Sequence, residues 1–465
     1  MVFASFVFLF WFLPLFLAAY YLLPLRAKNL WLTLASYAFY GWWKPQYCGL
    51  MLLITLIDFS IGLAMGAKGS KDDTTRRRYL VISIVSNLAL LAWFKYANLL
   101  VDSMNTLLTW SQQSPVPWDA IVLPVGISFF TFQSMSYTID VYKGEVQPTR
   151  SLLDFACYVA MFPQLVAGPI VRYRDVDREL VHREHSYMLF SSGVFLVMIG
   201  FTKKILLADN CALICDPVFA QGQLGLLPSW IGTTAYAAQI YFDFSGYSDM
   251  AIGLGWMLGF QFPVNFDSPY QSESITEFWR RWHMSLSTWL RDYLYIPLGG
   301  NRLGEGRTYA NLMATMLLGG LWHGASWTFL LWGGYQGLFL AFERRAGRRP
   351  WYAAWPRFAR RLATFVIVLG GWAIFRADSL GTLGTIYGGM FGLHGLGAIP
   401  WPALHAKIAW LALPTALALA FWSPNSLRLV ARFHPAVMLG VIAAFVLALG
   451  QFFTREYSPF IYFQF

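Results

Sequence analysis

Twelve apolar stretches, most of them close to twenty residues long, divide this 465-residue chain, with short polar loops between most of them. They run over 2–24, 29–44, 47–66, 79–99, 121–141, 152–171, 187–207, 229–242, 308–342, 362–376, 403–422 and 435–453. A helix of about twenty apolar residues crosses the hydrocarbon core of a bilayer. Within that core each backbone amide must be satisfied inside the chain, so runs of this length fold as helices. The expectation is an all-α polytopic membrane protein with about ten to twelve transmembrane and re-entrant helices. The run at 308–342 is too long for one straight crossing. It calls for a tilted span, a break near Gly333-Gly334, or two segments.

Composition agrees. Hydrophobic residues make up 57% of the chain and charged ones 12%, against about 25% charged in soluble domains. The 39 Phe, 24 Tyr and 21 Trp suit aromatic belts at headgroup depth. A net charge of +10 raises the question of a nucleic-acid partner. The basic residues, however, gather in loops: Lys68, Lys71, Arg76, Arg77 and Arg78; Arg172, Arg174, Arg178 and Arg183; and Arg344, Arg345, Arg348, Arg349, Arg357, Arg360 and Arg361. Loops of this kind face the cytoplasm and meet anionic membrane lipid, so nucleic acid is excluded. Val2–Leu23 lacks a basic leader and a cleavage site and reads as a retained first span. Arg26 and Lys28 then put the N-terminus outside. Cys48, Cys157, Cys211 and Cys215 form no CxxC pair and read as packing residues, with no metal site and no disulfide expected. Nothing separates off as a soluble domain, so residues 1–465 read as a single membrane domain.

The segments between 121 and 300 carry polar groups that lipid would not tolerate: Gln133, Ser134, Ser136 and Asp140, then Gln164, then Asp243, Ser245, Tyr247, Ser248 and Asp249. Such groups face other helices or water, which implies a polar interior chamber. Glycines four apart, at Gly255/Gly259 and Gly333/Gly337, allow helices to approach closely. His182-Arg183-Glu184-His185 lies in a charged loop and reads as solvated.

His323 stands in Leu317–Trp332, a stretch with no other ionisable side chain. An imidazole there must be paired or line a wet cavity, because an isolated polar group costs several kcal/mol in hydrocarbon. His283, forty positions earlier, belongs to the aromatic and polar segment Ser274–Tyr293. Ser274 with Glu277 forms a capping box that starts a helix. Helical spacing puts Trp279, His283, Leu286 and Leu290 on one face, with Arg280 and Arg281 elsewhere on the wheel. This helix is too polar to span and reads as interfacial or re-entrant. A neutral imidazole is the usual base for removing a proton from a hydroxyl that attacks a thioester. The second ring would orient the acceptor or polarise the acyl carbonyl.

Trp322-His323-Gly324, Phe278-Trp279-Arg280-Arg281-Trp282-His283 and Arg291-Asp292-Tyr293-Leu294-Tyr295 together resemble the membrane-bound O-acyltransferase family. Pro124-Val125-Gly126-Ile127-Ser128-Phe129, Ala167-Gly168-Pro169, Tyr241–Met250 and the ending Phe460–Phe465 extend the likeness along nearly the whole chain, within the branch that serves alginate acetylation. The resemblance implies a ring of helices around a central chamber, with residues 273–345 as the catalytic core. It implies that His323 is the base and that His283 is the second catalytic position. It further implies transfer of an acetyl group from cytoplasmic acetyl-CoA, with no bound cofactor, towards an exported polysaccharide. A periplasmic acetyltransferase would complete the transfer in the bacterial inner membrane. Alginate stands ahead of cellulose as the polymer. Arg280 and Arg281 are candidate contacts for the CoA phosphates, as is Arg302, and Asp243, Asp249, Ser245 and Trp322 complete the candidate substrate-binding set.

Two other classes compete. Asp243 and Asp249 inside apolar helices suit a transporter that moves an acyl donor or an ion without chemistry. A scaffold that only recruits a periplasmic transferase would not need a polar interior.

Overall fold

The computed structural model describes residues 1–66, 72–166, 168–347, 350–432, 434–455 and 460–461. Lys68, Lys71, Ala167, Arg348, Arg349 and residues 462–465 of the C-terminal motif lie outside the described residues. The described chain is helical throughout and contains no strand. Among the described residues, five helices are long and apolar enough to cross a membrane: Tyr47–Gly66, Asp73–Trp110, Tyr187–Phe219, Arg357–Arg376 and Pro435–Thr454. Phe8–Leu22 and Lys407–Trp422 are shorter apolar helices. At 1.5 Å per residue a twenty-residue helix measures about 30 Å, the thickness of the hydrocarbon core. Pro435–Thr454 buries only Ala448 and turns the rest of its apolar surface outward, as a lipid-facing helix does.

Packing divides the chain into two units, Met1–Gly193 with Ala251–Pro263, and Val194–Met250 with Val264–Phe465. In the first unit, α1 (Tyr47–Gly66), α2 (Asp73–Trp110) and α3 (Ile127–Lys143) pack together. Asp72 starts α2 by accepting from the backbone N–H groups of Thr74 and Thr75. Every residue of α3 from Ile127 to Val141 is buried, so it is a core helix and not a lipid-facing span. Its polar residues serve the packing. Asp58 of α1 accepts from Ser83 Oγ at 2.6 Å, Asn87 Nδ2 at 2.9 Å and Ser134 Oγ at 2.6 Å, which pins three helices to one carboxylate.

The basic loop of this unit differs from expectation. Arg172 and Arg183 are buried, and Arg183 donates to Tyr20 Oη at 3.2 Å and to Asn29. Lys28 is buried too and donates to the Tyr20 carbonyl at 2.5 Å. Long cationic side chains reach carbonyl and amide acceptors across such a distance and do not need lipid phosphate. His182 and His185 are exposed, the latter bonded to Tyr20 Oη at 3.2 Å.

The second unit holds α4 (Leu226–Met257, as far as Met250) and the segment 264–376. There α5 (Ile275–Trp279) and α6 (Met284–Leu290) precede a helical hairpin, α7 (Glu305–His323) and α8 (Trp327–Arg345), and then α9 (Arg357–Arg376). The long run at 308–342 is thus two helices. Its break falls at Gly324-Ala325-Ser326 and not at Gly333-Gly334. Ser326 caps α8 through the N–H of Thr328, and Gly324 is extended, so the chain reverses there. Gly333 is kept for packing instead: a Cβ on it would lie 2.3 Å from the Met316 carbonyl oxygen.

Candidate active site

The sequence predicts one helix over Ser274–Tyr293; the chain instead turns between α5 and α6. Ser274 Oγ accepts the Glu277 N–H at 3.0 Å, the first half of the capping box. Glu277, however, takes the N–H of Glu273 and not that of Ser274. Glu343 at the end of α8 supplies the rest, accepting the N–H groups of Ile275 at 2.6 Å and Thr276 at 2.8 Å. The helix then stops because residues 265–267 claim its backbone. Asp267 N–H donates to the Arg281 carbonyl and Met284 N–H to the Asn265 carbonyl, both at 2.9 Å. These long-range bonds carry His283 into left-handed backbone, φ +43° and ψ 53°, an uncommon place for a residue other than glycine. It costs about 1–3 kcal/mol and persists where the surroundings over-determine it.

The turn also buries Trp282 and His283, both essentially inaccessible. His283 lies edge-on to Phe244, with ring centroids 4.7 Å apart, and Phe266 stacks at 6.4 Å. His323 is the last residue of α7, 5% exposed, with its ring centroid 6.2 Å from that of His283. Trp322, Trp332 and Phe375 surround it edge-on at 5.2, 5.1 and 5.4 Å. Trp322 also lies 6.0 Å from His283 and so touches both rings.

His323 opens on a cavity of about 190 Å³. Its wall includes Leu312, Thr315, Met316, Gly319 and His323, one face of α7. From 312 to 323 that stripe is about 17 Å long. Trp279, Leu286 and Leu290 of the predicted helix face join it from two separate helices, with Trp332 and Leu340 of α8. The lining is apolar apart from a few groups, among them Arg291 and Tyr295. The Tyr295 carbonyl accepts the Gly300 N–H, and the Gly300 carbonyl accepts Asn311 Nδ2, which fixes this turn at the Leu312 end. Neither Asp nor Glu is among the lining residues.

The remaining candidates are placed elsewhere. Arg280 is exposed. Arg281 pairs with Glu277 at 2.8 Å and donates to the Asp267 carbonyl at 3.2 Å, so it holds the turn. Neither lines the His323 cavity, whereas Arg291, which no motif singles out, does. Asp243 pairs with Lys204 at 2.9 Å and accepts the Ile461 N–H at 2.7 Å. Asp249 meets Lys203 Nζ and Ser426 Oγ, both at 2.7 Å, in a separate cavity of about 260 Å³. Ser245 is buried among α4 residues, away from the lining of the His323 cavity. The two carboxylates are thus balanced by lysines that the sequence reading had left inside an apolar run. Outside the apolar segments, burial raises the Glu273 carboxyl, but bonds from Arg357 at 2.6 Å and Arg360 outweigh it and hold its pKa below the usual value. This clamp is therefore fully formed at neutral pH and is lost only as acid protonates the carboxylate.

The helical second unit thus buries two imidazoles side by side, one of them on the wall of a largely apolar cavity. The model of the membrane-bound O-acyltransferase family matches residues 37–375, and the chain belongs to that family. It is an O-acyltransferase and a multi-pass protein of the inner membrane. It is 52% identical over 391 residues to a probable alginate O-acetylase AlgI of Azotobacter vinelandii, covering 84% of this chain and 78% of that one. A probable alginate O-acetylase AlgI of Pseudomonas putida aligns over 100% of both chains at 44% identity. A peptidoglycan O-acetyltransferase of Helicobacter pylori is 36% identical over 425 residues, 84% of this chain and 80% of that one.

Proposed function

We propose that the chain transfers an acetyl group from cytoplasmic acetyl-CoA towards an exported polysaccharide, alginate ahead of cellulose, with a periplasmic acetyltransferase completing the reaction. The observation that carries this reading is the pair of buried imidazoles, 6.2 Å apart, of which His323 lines the α7 cavity. An imidazole, that of His323, and not a carboxylate faces the cavity, since no acidic side chain among the described residues lines it. The open end of the α7–α8 hairpin carries Arg307, Arg344 and Arg345, which favours a cytoplasmic position for it. His323, nineteen residues along α7, then stands about 28 Å from that end. A thioester arm entering from the cytoplasm reaches the ring along the Leu312–His323 stripe.

Membranes carrying the chain and its periplasmic partner, given acetyl-CoA labelled in the acetyl group, are expected to release free thiol and put label into polymer. No thiol release from acetyl-CoA would overturn the donor, and label that reaches cellulose but not alginate would overturn the polymer. Transport without chemistry predicts flux of intact donor and no thiol at all. Arg291 lines the cavity and is exposed enough to meet a CoA phosphate. Arg291→Ala is expected to raise the donor KM about tenfold, the loss of one charge-assisted bond, with kcat little changed. Steady-state kinetics in which KM stays put would remove Arg291 from the donor site.

A further inference from the structure

We propose that Asn265 is a positioning residue that fixes His283 as a hydrogen-bond acceptor, so that this ring receives the hydroxyl of the acyl acceptor. The inference rests on the acyl-transfer reading above and assigns a role within it.

Asn265 is 1% exposed and lies on the segment that breaks the α5–α6 helix. Its Oδ1 accepts the Ser285 backbone N–H at 3.3 Å and the Ser285 hydroxyl at 2.9 Å. A backbone N–H only donates, so the amide atom facing it is the oxygen, which settles the orientation of the side chain. The same oxygen lies 3.1 Å from His283 Nδ1. An amide oxygen carries no proton, so Nδ1 must. In a neutral imidazole the lone pair then sits on Nε2. Asn265 Nδ2 is buried and makes no hydrogen bond among the described residues, so the side chain acts through its oxygen alone.

That tautomer decides between the two roles open to the second imidazole. An Nε2 without a proton cannot donate to a carbonyl and so does not polarise the thioester. It accepts from a hydroxyl. As the hydroxyl oxygen bonds to the acyl carbon and the C–S bond breaks, its proton passes to His283 Nε2 and leaves with the thiolate, so atoms and charge balance with donor and acceptor alone. His323, on the cavity wall, serves the thioester side.

A competing reading is that Asn265 merely caps α6, whose N-cap residue His283 contributes no capping side chain. Ring ¹⁵N spectra separate the two. In nanodiscs containing histidine-labelled protein, with the His283 signals assigned by their loss in His283→Gln, the ring is expected to carry its proton on Nδ1. A proton on Nε2 in the wild-type protein would overturn the proposal, whatever the activity. Asn265→Leu should scramble the tautomer and lower kcat about 10- to 100-fold at unchanged donor KM. Asn265→Asp, which accepts the same three bonds, should restore most of it. An unchanged tautomer in Asn265→Leu means a cap only and sinks the idea; should that variant not fold, the wild-type spectrum decides alone. Absence of acetyl transfer by the wild-type protein would instead count against the acyl-transfer reading, with the tautomer still measurable.

Discussion

Replacing His323 by Ala is expected to lower polymer acetylation at least about 100-fold, since positioned acid–base groups contribute about 10²–10⁴ in rate. The ring is the imidazole that lines the cavity, and Trp322, Trp332 and Phe375, packed around it, carry no basic group. Acetyl content of the polymer, with the variant quantified in membranes, reads the result. Full acetylation at normal protein level would end the proposal that this histidine acts in catalysis. His283→Ala should fall with it, because the two rings face one another.

The second large effect concerns two adjacent glycines. A Cβ at Gly333 meets the Met316 carbonyl at 2.3 Å and the Leu317 Cα at 3.0 Å, backbone atoms that cannot step aside. At Gly334 the nearest atom is Leu317 Cδ2 at 3.6 Å, ordinary contact with a side chain. Gly333→Ala must therefore force α7 from α8, at a cost of about 1–3 kcal/mol or more, and should carry the activity with it because His323 ends α7. Gly334→Ala should be within about 1 kcal/mol of wild type, Ala being the better helix former. Thermal melting of detergent-purified variants tests the contrast; equal melting temperatures would mean that the hairpin is not packed backbone to backbone.

Much of this was legible in the chain. Apolar length gave the helices, and the Gly333/Gly337 spacing foretold the close hairpin. The isolation of His323 singled it out as a candidate before any geometry. What the sequence hid was decided by partners far along the chain. The helix expected through His283 fails because residues 265–267 take its backbone hydrogen bonds, and no local pattern at 274–293 announces that. Asn265 itself sits in Pro263-Val264-Asn265-Phe266, where a single amide has no periodicity to flag it. Asp243 and Asp249 looked like bare intramembrane charges because their lysines, Lys204 and Lys203, lie some forty residues earlier within a long apolar run.

Glu343 grips the first two amides of α5 while the glycines of α8 clasp α7, so both imidazoles hang from one rigid bracket. Moving one ring away from the other would mean tearing that bracket apart. The two rings thus share one anvil, and donor and acceptor must both come to the spacing that it holds.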